Sequence, residues 1–154
     1  RRQRQMCIRD RCWRLRSRGR VIVCVPQSKV YHVGGATLKK ENPRKTFLNF
    51  RNNLVMLYKN LPAEELNKVM RIRACLDYVA AFVFLLKGDW DNACAVMRAR
   101  KEYKQIRPSF SSSREENMRK KRLDLIPERT KNSILWQFYG RGCKQFSQLS
   151  DLKG

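Results

Sequence analysis

Residues 30 to 62 read VYHVGGATLKKENPRKTFLNFRNNLVMLYKNLP, passing from a β-branched run through the only histidine, His32, and the pair Gly34-Gly35 into a basic amphipathic segment. The two halves of this stretch predict different structure. Val30, Tyr31 and Val33 favour extended backbone, and the glycine pair ends the run. Behind them, Asn42-Pro43 predicts a helix start, because an asparagine side chain can accept from the first turn and proline already holds the helical φ. Phe47, Phe50, Leu54, Leu57, Tyr58 and Leu61 then recur at three and four, one apolar face, while Arg44, Lys45, Arg51 and Lys59 decorate the helix.

Outward from this stretch toward the N-terminus, RVIVCVP (residues 20 to 26) is a second β-branched run, closed by proline, so that it and residues 28 to 35 predict two short strands. Before them CWRLRSRG (residues 12 to 19) has helical character, with Gly19 placed to stop it. Toward the C-terminus, Pro62 opens a helix with Glu64 and Glu65 in its first turn, where the helix dipole favours anions. Leu66, Val69, Met70, Leu76, Val79, Phe82, Val83 and Leu86 give that helix a stripe that broadens until it is apolar nearly all round, and Gly88 ends it. Asp89 can cap a further helix running toward Pro108; PSFSSS reads as a loop, and Ser113 with Glu116 as a capping box for a short charged helix. After Pro127 a last helical segment, KNSILWQFYGRGCKQFSQL, is interrupted by Gly140 and Gly142. The expected fold class is an α+β fragment, mostly α: one helix, two short strands, then a basic amphipathic helical tail. Two strands are too few for a catalytic α/β domain.

At 154 residues the chain holds one domain with a modest core, or a piece of one. Thirty-five Lys and Arg against thirteen Asp and Glu give +22, a field that draws polyanions: nucleic acid, an anionic bilayer face or phosphorylated substrates. With 42% hydrophobic residues it is too apolar for a disordered basic tail. The six cysteines, Cys7, Cys12, Cys24, Cys75, Cys94 and Cys143, lack the paired spacing of a zinc site and are expected to be small buried thiols in a reducing compartment. An arginine-rich start with no apolar stretch behind it predicts no secretory signal. The longest nearly uncharged run, residues 74 to 86, contains Asp77 and falls short of the roughly 20 residues that cross a bilayer.

Residues 1 to 11 stand apart. Met6 to Asp10 resemble the in-frame translation of a transposon-end adapter used in sequencing libraries, and the segment is expected to be disordered or to extend the first helix. Removing it takes away five arginines and one aspartate, so +22 falls only to +18.

Several residues have both a functional and a plain reading. His32 could hold a metal or a phosphate, or sit half-buried on a strand bonded to a carbonyl. Gly34-Gly35 could let backbone approach a diphosphate, or make a turn. Lys39, Lys40, Arg44, Lys45 and Arg51 could hold phosphates or form a solvated face. Phe47, Phe50 and Tyr58 share one helical face, which suits core or membrane contact better than base stacking, and no RNA-binding signature is present. The helix from Pro62 to Leu86 is a core helix or an in-plane membrane helix, with Arg71, Arg73, Lys87, Arg98 and Arg100 suited to anionic lipid.

The combination CWRLRSRG, VIVCVP, SKVYHVGGATL and NPRKTFLNFRNNLVMLYKN resembles the C-terminal part of bacterial family 2 glycosyltransferases, close to rhamnosyltransferase-like members that build surface polysaccharides. The likeness is good from Cys12 to about Pro62, and the helical remainder looks like a membrane-proximal tail. It implies that residues 12–41 are the end of a GT-A catalytic domain, 42–107 membrane-proximal amphipathic helices and 108–154 a helical tail. It implies a nucleotide-diphosphate sugar donor and a divalent cation, Mg or Mn, both bound by an N-terminal half with an Asp-x-Asp type motif that lies outside this sequence. The acceptor implied is a polysaccharide or polyprenyl-linked glycan, and the location is cytoplasmic, peripheral at the inner membrane face. The family's acidic pair, source of the catalytic base, would fall on Cys7 and Ile8 and a later aspartate on Asp10, so the base is expected upstream and this segment is expected to be inactive alone. His32 would lie on the diphosphate or metal side, and Arg44, Lys45 and Arg51 near phosphate or lipid headgroups. Two rival readings follow from the charge: a small basic module binding nucleic acid or anionic lipid, and a structural membrane-attachment bundle.

Overall fold

Asn42 and Pro43 open a helix as their chemistry requires. In the computed structural model, which describes residues 8–23, 25–29, 31, 42–123, 126, 136–143 and 145, the Asn42 side chain accepts from the Arg44 amide at 2.8 Å. The chain divides into two units, residues 1–122 and 123–154.

In the larger unit α1 (Ile8–Ser17) is stopped at Gly19, and α2 (Pro43–Asn60) ends where Leu61 turns extended ahead of Pro62, a position disfavoured for helix before proline. α3 (Ala63–Leu86) follows immediately. Gly88, at φ +73°, reverses the chain in a conformation strained for any residue with a Cβ. Asp89 then accepts from the Asn92 amide at 3.1 Å and starts α4 (Trp90–Ile106).

The two tight reversals make α2, α3 and α4 an up-down-up set. Arg73 of α3 lies over the Phe50 ring of α2 at 5.2 Å, Asp77 of α3 meets Arg100 of α4 at 2.6 Å, and Arg51 of α2 meets Glu102 of α4 at 2.7 Å. α4 continues through a 3-10 turn, Arg107–Phe110, into α5 (Ser111–Arg119). α5 folds back on the end of α2, where Arg114 donates to the Tyr58 carbonyl and Asn117 to that of Lys59 at 3.3 Å. The core is Leu54, Tyr58, Leu61, Leu66 and Tyr103, with Trp13, Val69, Met70 and Phe110 packed against it. Tyr58 and Tyr103 meet edge to face, centroids 6.5 Å apart.

The α+β expectation is corrected. Among the described residues no strand occurs. Val21, Ile22, Val23 and Val25 are exposed irregular backbone, and Pro26-Gln27 is a turn closed by the Ser28 amide on the Val25 carbonyl at 3.0 Å. β-Branched residues favour strands only where a neighbouring strand takes their backbone groups, and here none does. Of the second expected strand, Ser28, Lys29 and Tyr31 are irregular, while Val30 and residues 32–35 lie outside the described residues.

Two smaller expectations also change. PSFSSS is helical: α5 begins at Ser111, so Ser113 lies inside the helix and caps nothing, and Glu116 bonds Lys120 at 2.6 Å one turn on. Cys75 and Cys94 are exposed, and Cys12 and Cys143 half-buried, so the four described thiols are not core residues; all four are free.

In the smaller unit, residues 136–140 form one π-helical turn, and the Cys143 amide returns to the Gln137 carbonyl at 3.0 Å. A Cβ on Gly140 would stand 2.9 Å from the Trp136 ring, so a side chain there would have to displace that ring. Residues 141–143 and 145 of the expected C-terminal helix are irregular, and the rest of it lies outside the described residues.

Candidate functional site

Three polar or apolar arrangements in the larger unit are unusual enough to be examined for function. The first ties α1 to α2 and α5. Asp10 is 3% exposed, and its carboxylate accepts from Asn60 Nδ2 at 2.7 Å, Lys59 Nζ at 3.2 Å and Arg14 Nε at 3.2 Å. Asn117 joins from α5, within 3.5 Å of the Asn60 side chain, and accepts from Arg18 at 3.2 Å. Burial pushes the Lys59 amine below its usual range, and the Asp10 carboxylate opposes that shift. Every carboxylate oxygen here already faces donors, so the arrangement joins helices and offers no open position to a ligand.

The second is a cleft of about 530 Å³ between the start of α2 and α4, lined by Arg44, Phe47, Arg98, Lys101, Glu102 and Gln105. Arg44, Arg98 and Lys101 are exposed there. Arg51 is held against Glu102 and over the Phe47 ring at 5.3 Å, so its charge is already engaged. Lys45 is not among the residues lining this cleft. Of the sequence-predicted set, then, Arg44 alone lines it with an unengaged cation. His32, Lys39 and Lys40 lie outside the described residues.

The third is the outer face of α3. Ile72, Leu76, Val79, Val83 and Leu86 follow one another at four, three, four and three along one face, and all are exposed, Val79 at 59%. Tyr78, Phe82 and Leu85 form an exposed row beside them, and Trp90 continues the stripe into α4. The opposite face is the reverse of what a helix of this composition would bury. It presents Ala81 and Asp77, and Asp77 is 0% exposed, held by Arg73 at 2.8 Å and Arg100 at 2.6 Å. The sequence reading left α3 open between core and interface. The structure divides it: Leu66 is buried in the core with Val69 and Met70 against it, while from Ile72 onward most of the large apolar residues face out and Ala81 is buried, with Phe84 half-buried.

Among the described residues no helix is long and apolar enough to cross a membrane. Nor do they bring together three or more His, Cys, Asp or Glu side chains that could hold a metal ion. Asp10 and Asp77, the buried carboxylates, are each surrounded by cations, so neither is open to a divalent cation.

The sequence reading missed Asp10, Lys59, Asn60, Asn117 and Asp77 as buried polar residues. For Asp77 a signal was present: Arg73 stands one helical turn before it, with alanines at 74, 80 and 81. Comparison with known proteins finds no match: no family model fits the chain, and no curated protein and no solved structure is significantly similar to it.

Proposed function

We propose that the chain is the C-terminal part of a family 2 glycosyltransferase that moves a sugar from a nucleotide-diphosphate donor to a polysaccharide or polyprenyl-linked acceptor, working at the cytoplasmic face of the inner membrane. The observation that carries this reading is that two segments on which the resemblance rests, around Cys12-Trp13-Arg14 and Leu57-Tyr58-Lys59-Asn60, belong to one unit. Trp13 packs against the core that contains Tyr58, and the Asp10 carboxylate receives Lys59 and Asn60.

An inverting transfer needs a base that takes the proton of the acceptor hydroxyl as its oxygen attacks the anomeric carbon, and positive charge where the diphosphate leaves. On this reading the base belongs to an acidic pair encoded before Cys12 in the natural gene. His32, Arg44 and Lys45 are the candidates for leaving-group or headgroup phosphates, with Arg51 as a positioning residue through Glu102 and Phe47.

The test is an adapter-free read of the locus upstream of the Cys12 codon, followed by a transfer assay on the full-length protein. The expected result is an Asp-x-Asp half, an acidic pair before Cys12, and transfer that is lost when the pair is changed to amides. A locus encoding no such half overturns the proposal. The rival, a basic module for nucleic acid, draws on +22 and on the cleft lined by Arg44, Arg98 and Lys101. It requires binding to single- or double-stranded nucleic acid that weakens steeply with salt and ignores nucleotide-sugar.

A further inference from the structure

We propose that the outer face of α3 is the surface on which the chain lies in the headgroup region of an anionic bilayer, helix axis in the membrane plane. This rests on the peripheral-membrane part of the function proposed above and on none of its chemistry.

The argument starts from the sign of the helix. From Lys68 to Lys87 the only carboxylate is Asp77, and it is turned inward onto Arg73 and Arg100. The outer face of that span therefore carries no anion. It carries Ile72, Leu76, Val79, Val83 and Leu86 in one line, with exposed Lys68 and Arg71 before the line and exposed Lys87 after it. An apolar stripe bounded by cations and stripped of anions suits a layer of acyl chains topped by phosphates, where each basic residue near the surface adds to the attraction.

Length and aromatic placement agree with this occupant. Residues 72 to 86 extend about 21 Å at 1.5 Å per residue, ample for an in-plane contact, and the helix cannot cross. Trp90, 68% exposed at the end of the stripe, and Tyr78 beside it are residue types that settle at the boundary between headgroups and acyl chains. A protein partner for the same stripe would have to meet a chain of +22, to which an anionic lipid surface is complementary in net charge.

The experiment is flotation of the 154-residue chain with vesicles of phosphatidylglycerol and phosphatidylcholine, and with phosphatidylcholine alone. The first variant is Val79→Ser with Val83→Ser, which removes apolar surface without changing charge; the second is Leu86→Ser with Trp90→Ser, read if the first does not fold. The expected result is flotation with anionic vesicles, a partition coefficient lowered about tenfold in either folded variant, and quenching of tryptophan emission by brominated acyl chains that shrinks in Trp90→Phe. Raised salt should weaken the binding and leave a residue carried by insertion. Three results overturn the proposal: no flotation; flotation that the serine variants leave unchanged, which makes the attachment purely electrostatic; or a dimer in solution that the serine variants dissociate while vesicles are ignored, which makes the stripe a self-contact. No donor sugar enters the assay, so its failure is separate from failure of the glycosyl-transfer reading.

Discussion

α3 and α4 are joined by one tight turn and pack against each other, yet they treat water in opposite ways. α4 follows the rule for a surface helix: Ala93, Val96, Ala99 and Tyr103 face in, and Arg98, Lys101 and Lys104 face out. From Ile72 onward α3 turns most of its large side chains out and keeps Asp77 and Ala81, with half-buried Phe84, for the inner side. The difference teaches that the interior of this unit is finished by α2, α4 and the first turns of α3. Where the rest of α3 meets α4, one carboxylate is tolerated because two guanidiniums come with it. The apolar area left over on α3 stays open to water.

The sharpest way to break this contrast is to place one substitution on both helices. Val96→Glu puts a charge at a site that is 0% exposed and has no cation arranged for it, and is expected to destabilise by more than about 4 kcal/mol, read as loss of the cooperative urea transition. Removing the inward carboxylate by Asp77→Ala leaves Arg73 and Arg100 facing each other, with an expected loss of about 3–5 kcal/mol in urea unfolding. A smaller effect tests whether Asp10 and Lys59 behave as a buried pair. Burial holds the Lys59 amine below the ordinary lysine value of 10.5, so just below that pH the unfolded chain binds more protons than the folded one. Stability from this group therefore rises as pH climbs through its lowered pKa toward 10.5, and Lys59→Met should remove that rise, measured as urea midpoints over an alkaline pH series. Least of all, Val79→Glu on the outer face should leave stability within about 0.5 kcal/mol of the parent. A large loss there would mean that the stripe is covered within the chain.

What could be read in the sequence is what local chemistry decides. Asn42-Pro43, Gly19, Gly88 and Asp89 mark helix ends by caps and turns that involve only near neighbours, and each falls where it was read. The run from Val21 to Val25 misled because strand preference says nothing about whether a partner strand is present. The face of α3 could not be chosen by periodicity, since a helix apolar nearly all round has no preferred side. Asp77 chose it, through a residue on another helix, Arg100. The Asp10 pairings with Lys59 and Asn60 join residues about fifty positions apart, and Asp10 itself lay in the segment set aside as foreign. For the candidate site, Arg44 was legible as a basic residue near a helix start. Its company, Arg98 and Lys101, comes from α4, and neither spacing nor composition could have placed it there.

The ion triad at Asp77 also bears on how α3 and α4 find their alignment. Ala81 of α3 and Ala93 of α4 are both buried, and small side chains discriminate weakly between neighbouring registers. Sliding α4 by one turn, about 5.4 Å, would carry Arg100 out of reach of Asp77, leaving a carboxylate sealed off with a single partner. The hairpin is thus keyed by charge where shape would let it slip.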